Sequence, residues 1–149
     1  MSGNYSSRDC CERIIKIVIN MIVPNFRHSI NGEKLATAIA QDHKTSEVLM
    51  VAFINKEAFD KTIKTGKAHY FSTSRNAIWF KGEESGHIQS IKEILFDCDE
   101  DAIIFKVEQN GDACHTGHYS CFYKKLSPDR NKLIENDDKI FNPDKVYLH

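Results

Sequence analysis

One stretch of this sequence, from 97 to 122, restricts the fold more than any other because it interleaves two classes of metal ligand. Its ligands are three aspartates and three of the five cysteines of the chain: Asp97, Asp99, Asp101, Cys98, Cys114 and Cys121. Thiolates suit a borderline-soft ion such as zinc, whereas carboxylates suit a hard ion such as magnesium. The stretch therefore indicates two different metals. Six residues separate Cys114 from Cys121, too many for the CxxC pair of ordinary zinc fingers, so the whole fold must shape the thiolate site.

The same stretch predicts a hairpin. Side chains alternate along an extended strand, so the three aspartates would project to one face and Cys98 to the other. Residues 102–107 are β-branched and aromatic, and the Asn-Gly-Asp at 110–112 is typical of a tight turn. We therefore predict a return strand that carries Cys114 and Cys121 towards Cys98.

Each of these residue types also has an ordinary structural explanation. Cysteine is among the most buried residue types and often acts as a small core hydrophobe. Three cysteines beside a carboxylate cluster and His115 nevertheless favour metal binding. The acidic segment alone leaves two alternatives open, a magnesium site and a solvated acidic rim.

Length, net charge and cysteine count limit the classes of protein to which this chain can belong. The chain has 149 residues, enough for one domain with its own core, and a formal net charge of −1. With this net charge, the chain lacks the excess of basic residues that nucleic-acid-binding proteins need. The charge also gives no reason to expect binding to an anionic membrane. The odd number of cysteines, without a secretory signal, indicates a reducing compartment, so we expect a cytoplasmic protein. The apolar segment 14–23 is too short, and too polar at Lys16 and Asn20, to span a bilayer.

Local signals predict the order of elements. A helix begins at Ser7 or Asp9 and continues to 23, where Pro24 ends it. A second helix begins after Asn55 and stops at Gly66, with an apolar face formed by Ala58, Phe59 and Ile63. Strands are predicted at 35–41, 48–54, 67–72, 77–80, 88–96 and 102–107, and little structure is expected over 125–149.

Two loops contain candidate ligand-binding residues. The hydroxyl-rich segment 72–75 ends in Arg75 and could bind phosphate, although such residues are also common in plain turns. The loop 81–87 contains Lys81, Ser85 and His87 with two glycines, and glycine lets backbone approach a ligand closely.

These motifs together closely resemble the phosphoribosyl-AMP cyclohydrolase family of histidine biosynthesis, in order, over about residues 33–124. The segments concerned are 48–55, 65–70, 74–75, Trp79, 81–83, 85–87, 97–101, 114–117 and 120–122. So many linked motifs exclude chance agreement.

The resemblance implies an α+β fold, with a mainly antiparallel sheet and a few helices, in an intertwined homodimer. It also implies one zinc ion per subunit where the subunits meet, held by Cys98 of one subunit with Cys114 and Cys121 of the other. Magnesium would bind the three aspartates. We expect a single cyclohydrolase domain over 1–149, with an N-terminal extension (1–32) and a polar tail (125–149), that performs one step of the pathway.

The implied substrate is 1-(5-phosphoribosyl)-AMP, whose purine ring would be opened by hydrolysis of the N1–C6 bond. Zinc with three protein ligands keeps a fourth position for water. Three thiolates leave zinc a weaker Lewis acid than three imidazoles, so we expect a protein base to take the proton. His115 is the first candidate, followed by His87 and His69, although each could instead order its own loop. The candidate phosphate contacts are Arg75, Lys81 and Ser85, and Trp79 could either stack on the purine or belong to the core.

Two rival functions differ in class. A binding module without catalysis would close the zinc site with His115 or His118 as a fourth ligand. A zinc deaminase would need the H-x-E and P-C-x-x-C motifs, and this sequence has neither.

Overall fold

The computed structural model describes residues 21–135. The helix predicted over 7–23 lies outside this range except for its last three residues, which are not helical. The described residues form nine strands and one helix. They are β1 (His28–Ile30), β2 (Glu33–Asp42), β3 (Val48–Ile54), α1 (Lys56–Thr65), β4 (His69–Ser72), β5 (Ala77–Phe80), β6 (Gln89–Phe96), β7 (Ala102–Gln109), β8 (Lys124–Leu126) and β9 (Leu133–Glu135).

Seven strands form one mixed sheet in the order β5-β4-β3-β2-β7-β6, with β1 paired to the start of β2. Strands β2 and β7 run parallel, from Thr37 opposite Ala102 to Asp42 opposite Val107, and the other pairings are antiparallel. The α+β class is confirmed. The expected sheet is correct only in part, because it contains a parallel pair, β2 with β7. Residues 21–135 contain one helix, and the other predicted helix lies almost wholly outside them. A parallel pair needs a long crossover, and the chain between β2 and β7 provides it.

The core lies where β2 and β7 meet. Ala36, Ala38 and Ala40 alternate along β2 and are fully buried. Phe105 and Ile103 alternate in the same way on β7. This period of two places one face of each strand in the core, and the small alanines leave room for the large side chains of the neighbouring strand.

Helix α1 is bounded as predicted. Asn55 Oδ1 accepts a hydrogen bond from the Ala58 amide at 2.9 Å, and Gly66 adopts a left-handed φ of 70° that ends the helix. The predicted apolar face is wrong at Ile63, which is 54% exposed. Thr62 is buried instead, because its hydroxyl donates to the Ala58 carbonyl at 2.9 Å and satisfies its polar group inside the core.

The observed structure differs from the sequence-based predictions in three regions. Residues 97–101 form a turn between β6 and β7 rather than an extended strand, and Glu100 has a positive φ of 66°. The return strand predicted after 112 is wrong, because residues 110–123 form a loop with only an isolated bridge. The tail is more ordered than expected, since β8 and β9 pair as a small antiparallel hairpin. Residues 136–149 of that tail lie outside the described range.

Among residues 21–135, no helix has both the length and the apolar character needed to cross a membrane.

Candidate active site and metal centres

The cysteine loop, residues 110–123, is fastened to strand β3. The Cys121 amide donates to the Leu49 carbonyl at 2.7 Å. Next to it, Ser120 Oγ donates to the Val48 carbonyl at 2.6 Å. The neighbouring residues of the loop therefore have fixed backbone positions on a rigid strand, although the loop itself is not part of the sheet.

Two of the three predicted zinc ligands lie together in this loop. Desolvation and the adjacent Cys114 thiol raise the pKa of Cys121 to about 12, because a thiolate there would sit in a partly apolar site beside a second sulfur. A divalent cation would remove this penalty by stabilising the deprotonated thiols. The donor set of Cys114 and Cys121 therefore fits zinc, with positions left for further ligands.

A short chain of polar contacts leads away from Cys114. Its Sγ lies 2.9 Å from Thr116 Oγ1, which lies 3.1 Å from His118 Nδ1. The His118 ring is buried and stacks on Tyr123, with ring centroids 3.6 Å apart. These contacts support the position of the Cys114 sulfur from behind, as outer partners commonly do at metal sites.

Lys81 reaches the same region from the other side of the site. Its side chain is buried, at 8% exposure, and Nζ donates to the Ala113 carbonyl at 2.6 Å while lying 5.4 Å from the centre of the Trp79 ring. Burial lowers the pKa of Lys81, and the negative charge available on Cys121 opposes this shift. When protonated, the amine places positive charge close to the thiols.

A cavity of about 410 Å³ opens beside the thiols. It brings together five of the residues proposed from the sequence: Arg75, Lys81, Ser85, His115 and Cys121. The opening is also lined by apolar residues, among them Trp79 and Phe122. The wall combines these apolar side chains with charged and polar ones, Glu83 and Glu84 among them, and a concave site with convergent polar groups is typical of small-molecule binding.

The other two candidate bases are not among the described residues that line this cavity. His69 Nδ1 donates to the Lys67 carbonyl at 2.8 Å, and the His69 ring stacks on Phe80 with centroids 4.8 Å apart. His87 Nδ1 lies 2.6 Å from Asp112 Oδ1. A catalytic role for either histidine stays a prediction.

Asp112 is a residue of the site that sequence reasoning missed. Its carboxylate is buried, and burial raises the pKa of Asp112 while the charges of His87 and Lys81 oppose that rise. The only local signal was the Asn-Gly-Asp sequence, which indicates a turn and does not identify a buried acid.

The three aspartates form the predicted carboxylate cluster. One oxygen from each of Asp97, Asp99 and Asp101 lies within 4.8 Å of the others, which makes them, among residues 21–135, the one group of three or more potential metal ligands this close together. The hydrogen bond with Asp101 and the surrounding negative charge raise the pKa of Asp99. A cation would relieve this crowding, so the oxygen donors fit magnesium.

Protein cations already contact this cluster. Arg27 Nε lies 2.6 Å from Asp101 Oδ2, and Arg27 Nη2 lies 3.3 Å from Asp99 Oδ2. His28 Nε2 lies 3.5 Å from the same oxygen of Asp101. Desolvation would raise the pKa of Asp101, but the hydrogen bond from Asp99 and the charge of Arg27 outweigh it and hold that pKa below its usual value. Sequence reasoning missed Arg27, because it lies 70 positions before Asp97, the first aspartate of the cluster.

The cluster and the thiol pair lie at opposite ends of β7. Cys98 stands in the turn before β7, whereas Cys114 and Cys121 belong to the loop that follows it. A strand rises about 3.3 Å per residue, so its eight residues separate the two ends by roughly 25 Å. The prediction that a return strand brings all three cysteines together within one chain is therefore wrong.

Several known proteins are similar to this chain. A family model described as phosphoribosyl-AMP cyclohydrolase matches residues 50–123, which include the cavity and both ligand groups. The phosphoribosyl-AMP cyclohydrolase of Methanosphaera stadtmanae is 74% identical over 85% of this chain and 98% of its own length. That of Methanothermobacter thermautotrophicus is 56% identical over 85% of this chain and 91% of its own length.

A longer relative matches as well. The histidine biosynthesis bifunctional protein HisIE of Thermoanaerobacter pseudethanolicus is 57% identical over 76% of this chain and 51% of its own length. The match confirms the resemblance based on the sequence motifs. This chain belongs to the phosphoribosyl-AMP cyclohydrolase family of enzymes.

Proposed function

We propose that this chain catalyses the hydrolytic opening of the N1–C6 bond in the purine ring of 1-(5-phosphoribosyl)-AMP, a step of histidine biosynthesis. The observation on which the proposal depends is the cavity itself. It combines a thiol of the candidate zinc site, a histidine and three residues suited to phosphate in a chain whose relatives are named phosphoribosyl-AMP cyclohydrolases.

The zinc ligands of this proposal are Cys114 and Cys121 of one subunit with Cys98 of another. Zinc, when bound, lowers the pKa of water and polarises the bond that is attacked. The positive charge of Lys81 beside the sulfurs would partly offset their negative charge. That arrangement supports a reactive rather than an inert site.

His115 is the proposed general base. It lines the cavity together with Cys121 and follows the ligand Cys114 directly in the sequence. A base in that position can accept a proton from the attacking water and return it to the leaving ring nitrogen. Arg75 and Ser85 line the same cavity, where their side chains would bind the phosphate groups of the substrate.

Magnesium is proposed to bind Asp97, Asp99 and Asp101. A hard cation on these oxygens would neutralise substrate phosphate or orient the nucleotide. The mutual closeness of the carboxylates supports this assignment.

A homodimer is part of the proposal, because Cys98 lies at the other end of β7 from the thiol pair. Exposed apolar side chains beside the cavity and on the small hairpin support a second copy as the partner. They are Val48, Val51, Phe122, Leu126, Leu133 and Ile134. We also propose a cytoplasmic location, since Cys98, Cys114 and Cys121 are free thiols and a reducing compartment would keep them available for metal.

The test of the activity is turnover of phosphoribosyl-AMP by zinc-loaded protein with magnesium supplied. Replacing the base, in His115→Asn, should lower kcat by about 10²- to 10⁴-fold without loss of zinc. His43→Asn is the matched control, because His43 lies in the turn after β2 and outside the described lining of the cavity. No turnover by folded, zinc-loaded protein would reject the enzyme and favour the binding module with a closed zinc site.

The shared zinc site has its own test by subunit complementation. Cys98→Ser and Cys114→Ser should each be inactive, since each removes one ligand from every site. A mixed dimer of the two variants would contain one site with all three cysteines and one site lacking two. Unfolding and refolding an equal mixture should therefore restore about a quarter of the original activity. A site assembled within one chain would give no recovery in any mixture.

A further inference from the structure

The cavity has two walls, and a histidine–aspartate pair joins them. One wall is the substrate loop, residues 81–87, and the other is the cysteine loop. We propose that Asp112 and His87 form a positioning device that holds the substrate loop against the cysteine loop, and that His87 does not act as a base. The inference rests on the proposed cyclohydrolase activity and assigns these residues a specific part in it.

The pair is short and shielded from water. His87 Nδ1 lies 2.6 Å from Asp112 Oδ1, and the Asp112 residue is only 1% exposed. A buried carboxylate is costly without a strong partner, so His87 must stay close to Asp112 in the folded protein. The contact joins residues 25 positions apart in the sequence and thereby fixes one loop relative to the other.

Two glycines allow the main chain to approach the histidine closely. A Cβ atom at Gly82 would lie 2.6 Å from the His87 carbonyl carbon, and one at Gly111 would lie 2.6 Å from His87 Cδ2. Both glycines have positive φ values, 89° and 73°, that other residues adopt only with strain. The substrate loop therefore packs at Gly82 against the His87 backbone, and the cysteine loop packs at Gly111 against the His87 ring.

The half-buried amide of Gln109 adds to the same connection. Gln109 Nε2 donates to the His87 carbonyl at 3.1 Å and to the Asp112 carbonyl at 3.3 Å. Asn110 Nδ2 donates across the two loops to the Gly86 carbonyl at 3.3 Å. Each of these hydrogen bonds joins a side-chain amide to a main-chain carbonyl, and together they connect the substrate loop with the cysteine loop.

The consequence for the reaction concerns the position of the substrate. The substrate loop supplies Lys81 and Ser85 to the cavity, and the cysteine loop supplies His115 and Cys121. His87 is not among the described residues that line the cavity. A loss of the pair should therefore misplace substrate contacts rather than remove a proton acceptor.

The first test compares two replacements of the histidine in the zinc-loaded protein. His87→Asn keeps an N–H donor near the position of Nδ1 but cannot act as a base, whereas His87→Leu removes the donor. We expect His87→Asn to keep kcat within roughly tenfold of the original, and His87→Leu to raise KM on the order of tenfold or more. A fall of kcat by 10²-fold or more in His87→Asn would overturn the inference and identify His87 as a base.

The second test changes the aspartate. Asp112→Ala should raise KM like His87→Leu, and Asp112→Asn, which retains an oxygen acceptor, should restore KM towards the original value. Asp60→Asn is the matched control, because Asp60 forms an exposed pair with Lys56 on α1, away from both loops. A purely structural role predicts less folded protein with unchanged KM in the folded fraction, and that result would reject positioning.

Gly111→Ala provides an independent perturbation if Asp112→Ala does not fold. Its methyl group would press on the His87 ring and should raise KM while both members of the pair remain. An unchanged KM in folded Gly111→Ala would count against the inference. Failure of the proposed function itself is distinguishable, since it would appear as no turnover by the unmodified protein.

Discussion

Arg27 and a divalent cation should compete for the aspartate cluster. Arg27 contacts oxygens of Asp101 and Asp99 at 2.6 and 3.3 Å, and magnesium would need oxygens of the same carboxylates. Replacing Arg27 by glutamine keeps a polar side chain of similar length but removes the charge. The Arg27→Gln protein should therefore bind magnesium more tightly than the original.

The size of this effect follows from the exposure of the ion pair. The Arg27 side chain is 55% exposed and that of Asp99 is 47% exposed, so water screens much of their attraction. Asp101 has a side chain only 10% exposed and holds the shorter contact, which makes its pairing the stronger one. We expect the magnesium dissociation constant to fall by roughly three- to tenfold.

The assay is a calorimetric titration of magnesium into zinc-loaded protein without substrate, at low and high salt. Lys56→Gln makes the same charge change in the exposed Lys56–Asp60 pair and should leave magnesium binding unchanged. The gain in Arg27→Gln should shrink as salt screens the original pair. Weaker binding in Arg27→Gln would show that Arg27 organises the carboxylates, and equal binding would show that it does not compete; either result refutes the reasoning.

Three further predictions test individual contacts. Because desolvation and Cys114 raise the pKa of Cys121 to about 12, zinc must displace thiol protons. Zinc affinity, measured by competition with a chelator, should thus rise with pH through the neutral range by up to roughly tenfold per unit for each proton released; pH-independent affinity would contradict this. Asn55→Ala should cost about 1 kcal/mol in urea unfolding through loss of the helix cap, and no change would argue against the cap. Tyr70→Phe should cost about 1–3 kcal/mol, because Gln89 Oε1 would lose its buried donor; an equally stable variant would refute this pairing.

Much of the local structure could be predicted because its causes are local. Asn55 and Gly66 bound α1 through bonds to residues within the same helix. Strand β3, a continuous apolar run from Val48 to Ile54, lies at its predicted position. The error at Ile63 shows the limit of periodicity, because a buried Thr62 can satisfy its hydroxyl within the helix and take the place of an apolar side chain.

The residue types of the candidate metal sites could be predicted from the sequence, but their arrangement in space could be predicted only in part. The three aspartates do converge, but a turn brings them together rather than a flat strand. The cysteines were expected to meet through a hairpin, whereas β7 separates Cys98 from the other two. Turn chemistry at 110–112 indicated a reversal of the chain but did not determine whether a paired strand would follow.

By itself, the sequence determined the family of this protein, the chemical types of its ligands and most of its strands and helix boundaries. The tertiary structure alone decided that Arg27 meets the aspartates, that His87 meets Asp112, and that the cysteines lie at both ends of β7. The physical reason is the range of the forces involved. Capping and side-chain alternation act between residues a few positions apart, whereas these contacts depend on how distant strands pack against each other.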